Sequence, residues 1–265
     1  MSWSSKVTIV TGASSGLGLY LSQALTAAGA RTVMAARHAE SLQAAANSLS
    51  SKGTTLAIPT DVTNDASVAN LVRATVEKFG QVDAVFHCAG RSMRRAAIDT
   101  TPDEFREMIE LNFLGAVRIA RATVPELLKT RGSLVNIGSL AGKVGSRWYG
   151  AYPASKFCLT AYSQQLRLEL GPQGLHVLLV CPGPIRRDDS TPRYEADVPG
   201  VPAEALRPGG GAKTRAIDPA KLAERILVAC QRRDAELVMP GKARLLFAVS
   251  QLWPGLGDWL LKKNT

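Results

Sequence analysis

Val7-Thr8-Ile9-Val10-Thr11-Gly12-Ala13-Ser14-Ser15-Gly16-Leu17-Gly18 decides how this chain folds. A β-rich apolar run leads into a glycine-rich turn, and the turn opens onto the helical pattern of Leu17–Ala28. Glycine in such a turn permits positive φ and lets backbone approach a pyrophosphate closely. The helix behind it presents unpaired N–H groups and the positive end of its dipole to the same anion. A tight connection that binds nothing would use the same glycines. The nucleotide reading gains from position, because the turn follows the first strand and starts a helix. Gly12, Ser14, Ser15, Gly16, Leu17 and Gly18 are therefore the expected phosphate cradle, in a Gly-x-x-x-Gly-x-Gly order that differs from the commoner Gly-x-Gly-x-x-Gly.

Working outward, further strands are expected at Arg31–Ala36, Thr54–Ile58, Val82–His87, Ser133–Gly138, Leu175–Cys181 and Glu236–Met239, with the first at Lys6–Thr11. The middle runs are continuously apolar, as in a parallel sheet covered on both faces. Helix-length segments at Glu40–Leu49, Asp65–Phe79, Pro102–Lys129, Gly150–Leu170 and Pro219–Arg232 separate them, and Thr101-Pro102-Asp103-Glu104 reads as a capped helix start. The alternation predicts an α/β fold, a doubly wound parallel sheet of about seven strands. Residues 1–241 form the expected Rossmann-like domain. Within it Pro182–Ile217 is too long for an ordinary connection, which makes 183–217 a candidate substrate lid. Residues 242–265 form an apolar tail broken by Pro254-Gly255, read as two short helical pieces packed on the domain or at an interface.

Composition excludes several other classes. With 46% apolar and 20% charged residues the chain has a globular balance. No run approaches the roughly 18 uninterrupted apolar residues of a spanning helix. Only Met1-Ser2-Trp3-Ser4-Ser5 precedes the first strand, so a cytoplasmic setting is expected. Cys88, Cys158, Cys181 and Cys230 form no C-x-x-C pair and, with three histidines, no metal site is expected. The net charge of +10 is spread along the chain rather than gathered in a stripe, which argues for solvated surface and against nucleic acid.

The turn with Thr11 before it resembles the short-chain dehydrogenase/reductase family, and further pieces of that pattern occur in order over about residues 6 to 240. Asp61-Val62 matches the adenine-side acidic motif. Cys88-Ala89-Gly90 stands where the family has Asn-Ala-Gly, Asn112 lies in the following long helix, and Ser139 closes the fifth strand. Tyr152-Pro153-Ala154-Ser155-Lys156 matches Tyr-x-x-x-Lys, and Pro182-Gly183 follows the sixth strand. The resemblance implies an oxidoreductase that moves a hydride between nicotinamide and a carbonyl or secondary alcohol. It implies Ser139, Tyr152, Lys156 and Asn112 as catalytic residues, with Lys156 on the nicotinamide ribose and Asn112 positioning Lys156 through water and the helix backbone. Cofactor contacts are implied at Asp61, Val62, Ala89, Gly90, Pro182, Gly183 and Ile185 beside the glycine turn. Family habit also implies a homodimer or homotetramer through the Pro102–Lys129 and Gly150–Leu170 helices. Arg186-Arg187 departs from the pattern, where a Thr contacting the carboxamide is common.

The chemistry is consistent with those assignments. Tyr152 and Lys156 are four apart and share one helix face. A free phenol titrates near ~10, and a nearby ammonium favours phenolate, making tyrosine a general acid in reduction and a base in oxidation. A hydroxyl at the carboxyl end of a central strand, as at Ser139, can stabilise charge on a carbonyl oxygen. At the end of the second strand an NAD enzyme carries an acid for the ribose 2′-hydroxyl. Here Ala36-Arg37 stands there, and a guanidinium suits a 2′-phosphate, so NADP(H) is favoured over NAD(H). Two points weigh against this: Arg37 can be read as a solvated helix-start residue, and Ser15 sits where many NADP-preferring relatives carry a second basic residue.

His87 is read as a satisfied core histidine, and Ser155 and Cys158 as packing residues. The alternative readings are a non-catalytic NADP-binding regulator and a membrane-peripheral lipid or steroid reductase, the latter resting on weak surface contact by the tail between Lys242 and Lys263. Arg186, Arg187, Arg193, Arg207, Lys213 and Arg215 are solvated lid charge or a greeting for an acidic, acyl-carrier-linked substrate. The apolar tail favours a 3-oxoacyl or similar lipophilic carbonyl.

Overall fold

The computed structural model describes residues 2–186, 198–206 and 215–264. Seven strands form one parallel sheet: β1 (Val7–Thr11), β2 (Arg31–Ala36), β3 (Thr55–Pro59), β4 (Ala84–His87), β5 (Ser133–Ile137), β6 (His176–Pro182) and β7 (Glu236–Met239). Their order is β3-β2-β1-β4-β5-β6-β7, so the winding reverses between β1 and β4. Open α/β sheets bind ligands in the crevice outside the strand carboxyl ends at such a switch point. Thr11 stands opposite both Ala35 and His87, which puts the glycine turn and the Cys88-Ala89-Gly90 segment on the two sides of that crevice.

Strand residues alternate between two cores, which explains why the runs are apolar throughout. Val10, Met34, Phe86, Val135 and Leu178 face one layer, with helices α1 (Gly16–Ala27), α2 (Ala39–Asn47) and, further along the chain, Pro219–Gln231. Ile9, Val33, Val85, Leu134 and Val177 face the other, built by α3 (Asp65–Phe79) and by the helices Gly115–Thr130 and Tyr152–Leu170. Burying both faces of the sheet supplies most of the fold's driving force.

The helix expected over Pro102–Lys129 is three pieces: α4 (Pro102–Ile109), a π-helical segment Glu110–Leu114, and α5 (Gly115–Thr130). The start is the expected capping box, with the Thr101 hydroxyl accepting from Glu104 N and the Glu104 carboxylate accepting from Thr101 N. The interruption is a backbone ring one residue larger, Gly115 N–H donating to Glu110 C=O. Beyond β5 come α6 (Tyr152–Leu170), a single turn α7 (Ala203–Leu206), α8 (Pro219–Gln231), α9 (Ala243–Leu252) and α10 (Pro254–Asn264). The tail is thus the two expected helices. Ala243 and Phe247 of α9 pack on Val238 of β7 and Leu179 and Cys181 of β6.

Asp83 fastens the start of β4 to the start of β1. Its carboxylate accepts from Lys6 Nζ at 2.9 Å, Val7 N at 2.8 Å and Gln81 Nε2 at 2.7 Å while 7% exposed. Removing it orphans a buried N–H and one end of an ion pair. Asp83→Ala should cost about 2–4 kcal/mol in urea unfolding. A loss within ~0.5 kcal/mol, the range of a neutral surface change, would show that the anchor is dispensable.

Candidate active site

β1 ends in Thr11, whose hydroxyl accepts from both Cys88 N and Ala89 N at 3.1 Å. With both lone pairs used, its proton donates to His87 Nδ1, 3.0 Å away. His87 is therefore the Nε2–H tautomer. That N–H is buried without a partner among the described residues, so the expected satisfied histidine is satisfied on one side only. Burial first, then the Lys156 charge, push the ring's pKa down to about 3. It is neutral at working pH and unsuited to be the base.

The glycine turn does what its spacing implies. Gly12 has φ +64°, and a Cβ there would stand 3.0 Å from Ala89 N; a Cβ on Gly18 would meet Gly12 O at 2.2 Å. The first turn of α1 therefore packs directly on the strand end, with Leu17 half-buried at its base. Ser14 is half-buried and Ser15 and Gly16 exposed around the helix start. Ser15 is the N-cap residue, no side-chain bond closes that end, and the first turn holds no acid. An uncapped N-terminus with two adjacent hydroxyls fits a pyrophosphate. Arg37 is exposed just past β2 and its charge helps hold the Asp61 carboxyl below the usual range, behind the larger effect of bonds from Thr63 N and Oγ1. Both Thr63 bonds fall on Asp61 Oδ1. Val62 is buried beside it.

Across the crevice, Tyr152 opens α6 and Lys156 follows one turn later. Lys156 is 6% exposed, pairs with no carboxylate among the described residues, and donates to Ile137 C=O at 2.8 Å. Its ammonium lies 5.8 Å from the Tyr152 ring centroid. Burial lowers its pKa to about 8, with the Cys88 and Cys181 thiols acting the other way. Burial likewise pushes the Cys88 thiol up to about 12, so it stays protonated. Ser139 follows β5 by two residues; its Oγ accepts from Ala141 N at 3.1 Å, which leaves the O–H as a donor.

Asn112 lies inside the π segment, fully buried. Its Oδ1 accepts from Arg91 N, and its Nδ2 donates to Arg91 O and to Ser155 Oγ at 3.0 Å. Ser155 Oγ donates in turn to Tyr152 C=O at 2.7 Å. The link from Asn112 to α6 therefore runs through Ser155, expected only as a packing residue, to the Tyr152 backbone, with no direct bond to Lys156.

Two further residues escaped the sequence. Arg94, 6% exposed, lies 3.9 Å over the Tyr149 ring, and that ring is 6.0 Å from Tyr152. Arg94 Nε also donates to Ala205 C=O of α7 at 2.8 Å. The described residues 198–206 thus sit beside Tyr149, where Val198, Val201, Ala205 and Leu206 pack with Trp148. Ile185 is bridged to Ile217 after Pro182 and Gly183. Arg186 has a structural partner, since it pairs at 2.7 Å with Asp218, the N-cap residue of α8. Arg187, Arg193, Arg207 and Lys213 lie outside the described residues. Among the described residues there is no cluster that could hold a metal and no helix long and apolar enough to cross a membrane.

Comparison with known proteins agrees with this geometry. The family model for short chain dehydrogenases matches residues 6–197. The chain is 31% identical to dehydrogenase/reductase SDR family member 7B of Danio rerio over 262 residues, 95% of this chain and 82% of that one. A short-chain dehydrogenase from Streptomyces avermitilis superposes with a TM-score of 0.80 at 30% identity, covering 97% of both chains. An alcohol dehydrogenase from Thermococcus sibiricus, solved with 5-hydroxy-NADP, gives 0.74 at 26% identity over 88% of this chain and 95% of that one. The protein belongs to the short-chain dehydrogenase/reductase family and is an oxidoreductase acting on CH–OH donors through a nicotinamide cofactor.

Proposed function

We propose that the chain is an NADP(H)-dependent reductase or dehydrogenase of a lipophilic carbonyl or secondary alcohol, 3-oxoacyl compounds among them, with Tyr152 as its acid/base. The observation that carries this reading is the buried Lys156 ammonium, anchored to Ile137 C=O and held 5.8 Å from the Tyr152 ring. When bound, a nicotinamide cofactor would supply or accept the hydride. Tyr152 gives its phenolic proton to the carbonyl oxygen in reduction and takes it back in oxidation. Ser139 donates its free O–H to the same oxygen and steadies the charge that develops there. Lys156 favours the phenolate electrostatically. Asn112 and Ser155 fix the first turn of α6, and through it the direction of Tyr152.

Gly12, Ser14, Ser15, Gly16, Leu17 and Gly18 would hold the pyrophosphate, and Asp61 and Val62 the adenine. Ala89 and Gly90 would line the floor, with Pro182, Gly183 and Ile185 by the nicotinamide. Arg37 would bind the 2′-phosphate, since Ala36 leaves no acid to repel it. The apolar lid cluster with Trp148 supports a lipophilic substrate. The ion pair of Arg186 with Asp218 weakens the case for docking an acidic carrier there. Exposed Phe157 and Leu168, on one face of α6, support a homodimer or homotetramer contact. The working compartment in this reading is the cytoplasm.

Tyr152→Phe should lower turnover by roughly 10²–10⁴-fold, the range of general acid–base catalysis, while NADPH binding followed by its fluorescence persists. Turnover near that of the unmodified enzyme would refute the acid/base assignment. For the nucleotide, kcat/KM should favour NADPH over NADH, and Arg37→Ala should erode that preference by about tenfold or more, the worth of a charge-assisted bond. Equal efficiency with both cofactors in the unmodified enzyme would remove NADP(H) from the proposal.

A further inference from the structure

Among the described residues nine large apolar side chains stand exposed, and five of them fall in one short stretch: Leu245 at 72%, Leu252 at 67%, Trp253 at 59%, Leu256 at 49% and Trp259 at 54%. Scattered exposed apolar residues need no explanation, whereas a cluster of this kind marks a contact surface. The spacing is helical: Leu245 and Leu252 lie two turns apart on α9, and Trp253, Leu256 and Trp259 follow at intervals of three into α10. The cluster is not a frayed end. α9 is seated on β7 through Ala243 and Phe247, and α10 closes on α9 so tightly that a Cβ on Gly257 would stand 2.6 Å from Ser250 Cα.

Charge names the occupant. Lys242, Arg244, Lys262 and Lys263 flank the apolar residues, against the single acid Asp258. Arg244 is partly spent on Glu236, but the three lysines are exposed and make no ion pair among the described residues. Lys263 Nζ lies 5.1 Å from the Trp259 ring centroid, placing ammonium and indole together as at a lipid headgroup level. A second copy meeting this face symmetrically would bring the lysines against each other, whereas an anionic lipid surface complements them. At 10 and 11 residues, α9 and α10 are too short to span a bilayer and suited to lie in its surface.

We propose that the α9–α10 hairpin is a peripheral membrane anchor that docks this enzyme on an anionic lipid surface by inserting Trp253, Leu256 and Trp259 between headgroups. This goes beyond the oxidoreductase reading and stands whatever the carbonyl substrate is. The test is co-sedimentation of the full-length protein with vesicles of equimolar phosphatidylcholine and phosphatidylglycerol, and with phosphatidylcholine alone. Binding to the anionic vesicles should blue-shift the tryptophan emission, weaken with salt, and be about tenfold or more weaker on the neutral ones. Lys262→Glu with Lys263→Glu, and separately Trp253→Ser with Trp259→Ser, should each lose that binding about tenfold or more while turnover on a water-soluble ketone is kept. Failure of the unmodified protein to sediment with anionic vesicles would overturn the proposal. So would a Trp253→Ser, Trp259→Ser variant that binds vesicles normally but dissociates to a smaller species in sedimentation velocity, which would make the face a subunit contact.

Discussion

One hydroxyl joins the two strands between which the sheet changes direction. Thr11 Oγ1 accepts the N–H groups of Cys88 and Ala89 and donates to His87, so the end of β4 cannot move away from the end of β1. The floor of the cofactor crevice is set by those three bonds. Gly12, at φ +64°, then turns over Ala89 at a distance tighter than side chains ordinarily adopt, and the first turn of α1 follows with its N–H groups uncapped by any side chain. Because the hydroxyl's geometry dictates the histidine tautomer, the same residue that shapes the crevice leaves a buried Nε2–H beside it without a partner among the described residues. Leaving such a donor unpaired is costly.

Lys156 is held at a second cost. An ammonium buried without a carboxylate is disfavoured, and its pKa falls to about 8 accordingly. The carbonyl of Ile137 and the face of Tyr152 are its visible compensations. A carboxylate beside Lys156 would offset the cost of burying it and would also weaken the ammonium's field at the Tyr152 ring. The Asn112–Ser155–Tyr152 relay then fixes the helix that carries both groups. The π segment supports this arrangement: the enlarged ring brings the Asn112 amide to Arg91 on one side and Ser155 on the other.

Regular repetition made much of this legible in the sequence. Arg31–Ala36, Glu236–Met239 and Asp65–Phe79 match the expected elements to the residue, because apolar alternation, caps and glycine stops are local signals. The break at Glu110–Leu114 was not legible. Its apolar periodicity continues unbroken, and the bonds that reward the break come from Arg91 and Ser155, 21 and 43 residues away. Arg94 and Tyr149 were equally silent, since their contact links two irregular loops across the crevice mouth and no spacing encodes it. Ser155 carried a faint signal: a serine three residues after Tyr152 can donate back to that residue's carbonyl.

The two ends of the crevice obey different electrostatic rules, and this explains why one residue type does opposite work in them. At the end beside β2 charges meet water: Arg37 is exposed, and half-buried Asp61 is kept ionised by bonds from Thr63. A cation there attracts an anion through contacts that salt and water weaken. At the catalytic end the cation is desolvated, so its field reaches Tyr152 with little screening, at the expense of a lowered affinity for its own proton. Arg94, also buried, follows the second rule, but it spends its charge on the Tyr149 face and its hydrogen bonds on Met93 and Ala205 carbonyls. Its effect is mechanical, because it ties α7 to the ring that lies against Tyr152. α7 and Tyr152 are thus neighbours through one guanidinium, and a displacement of α7 would be felt first at Tyr149.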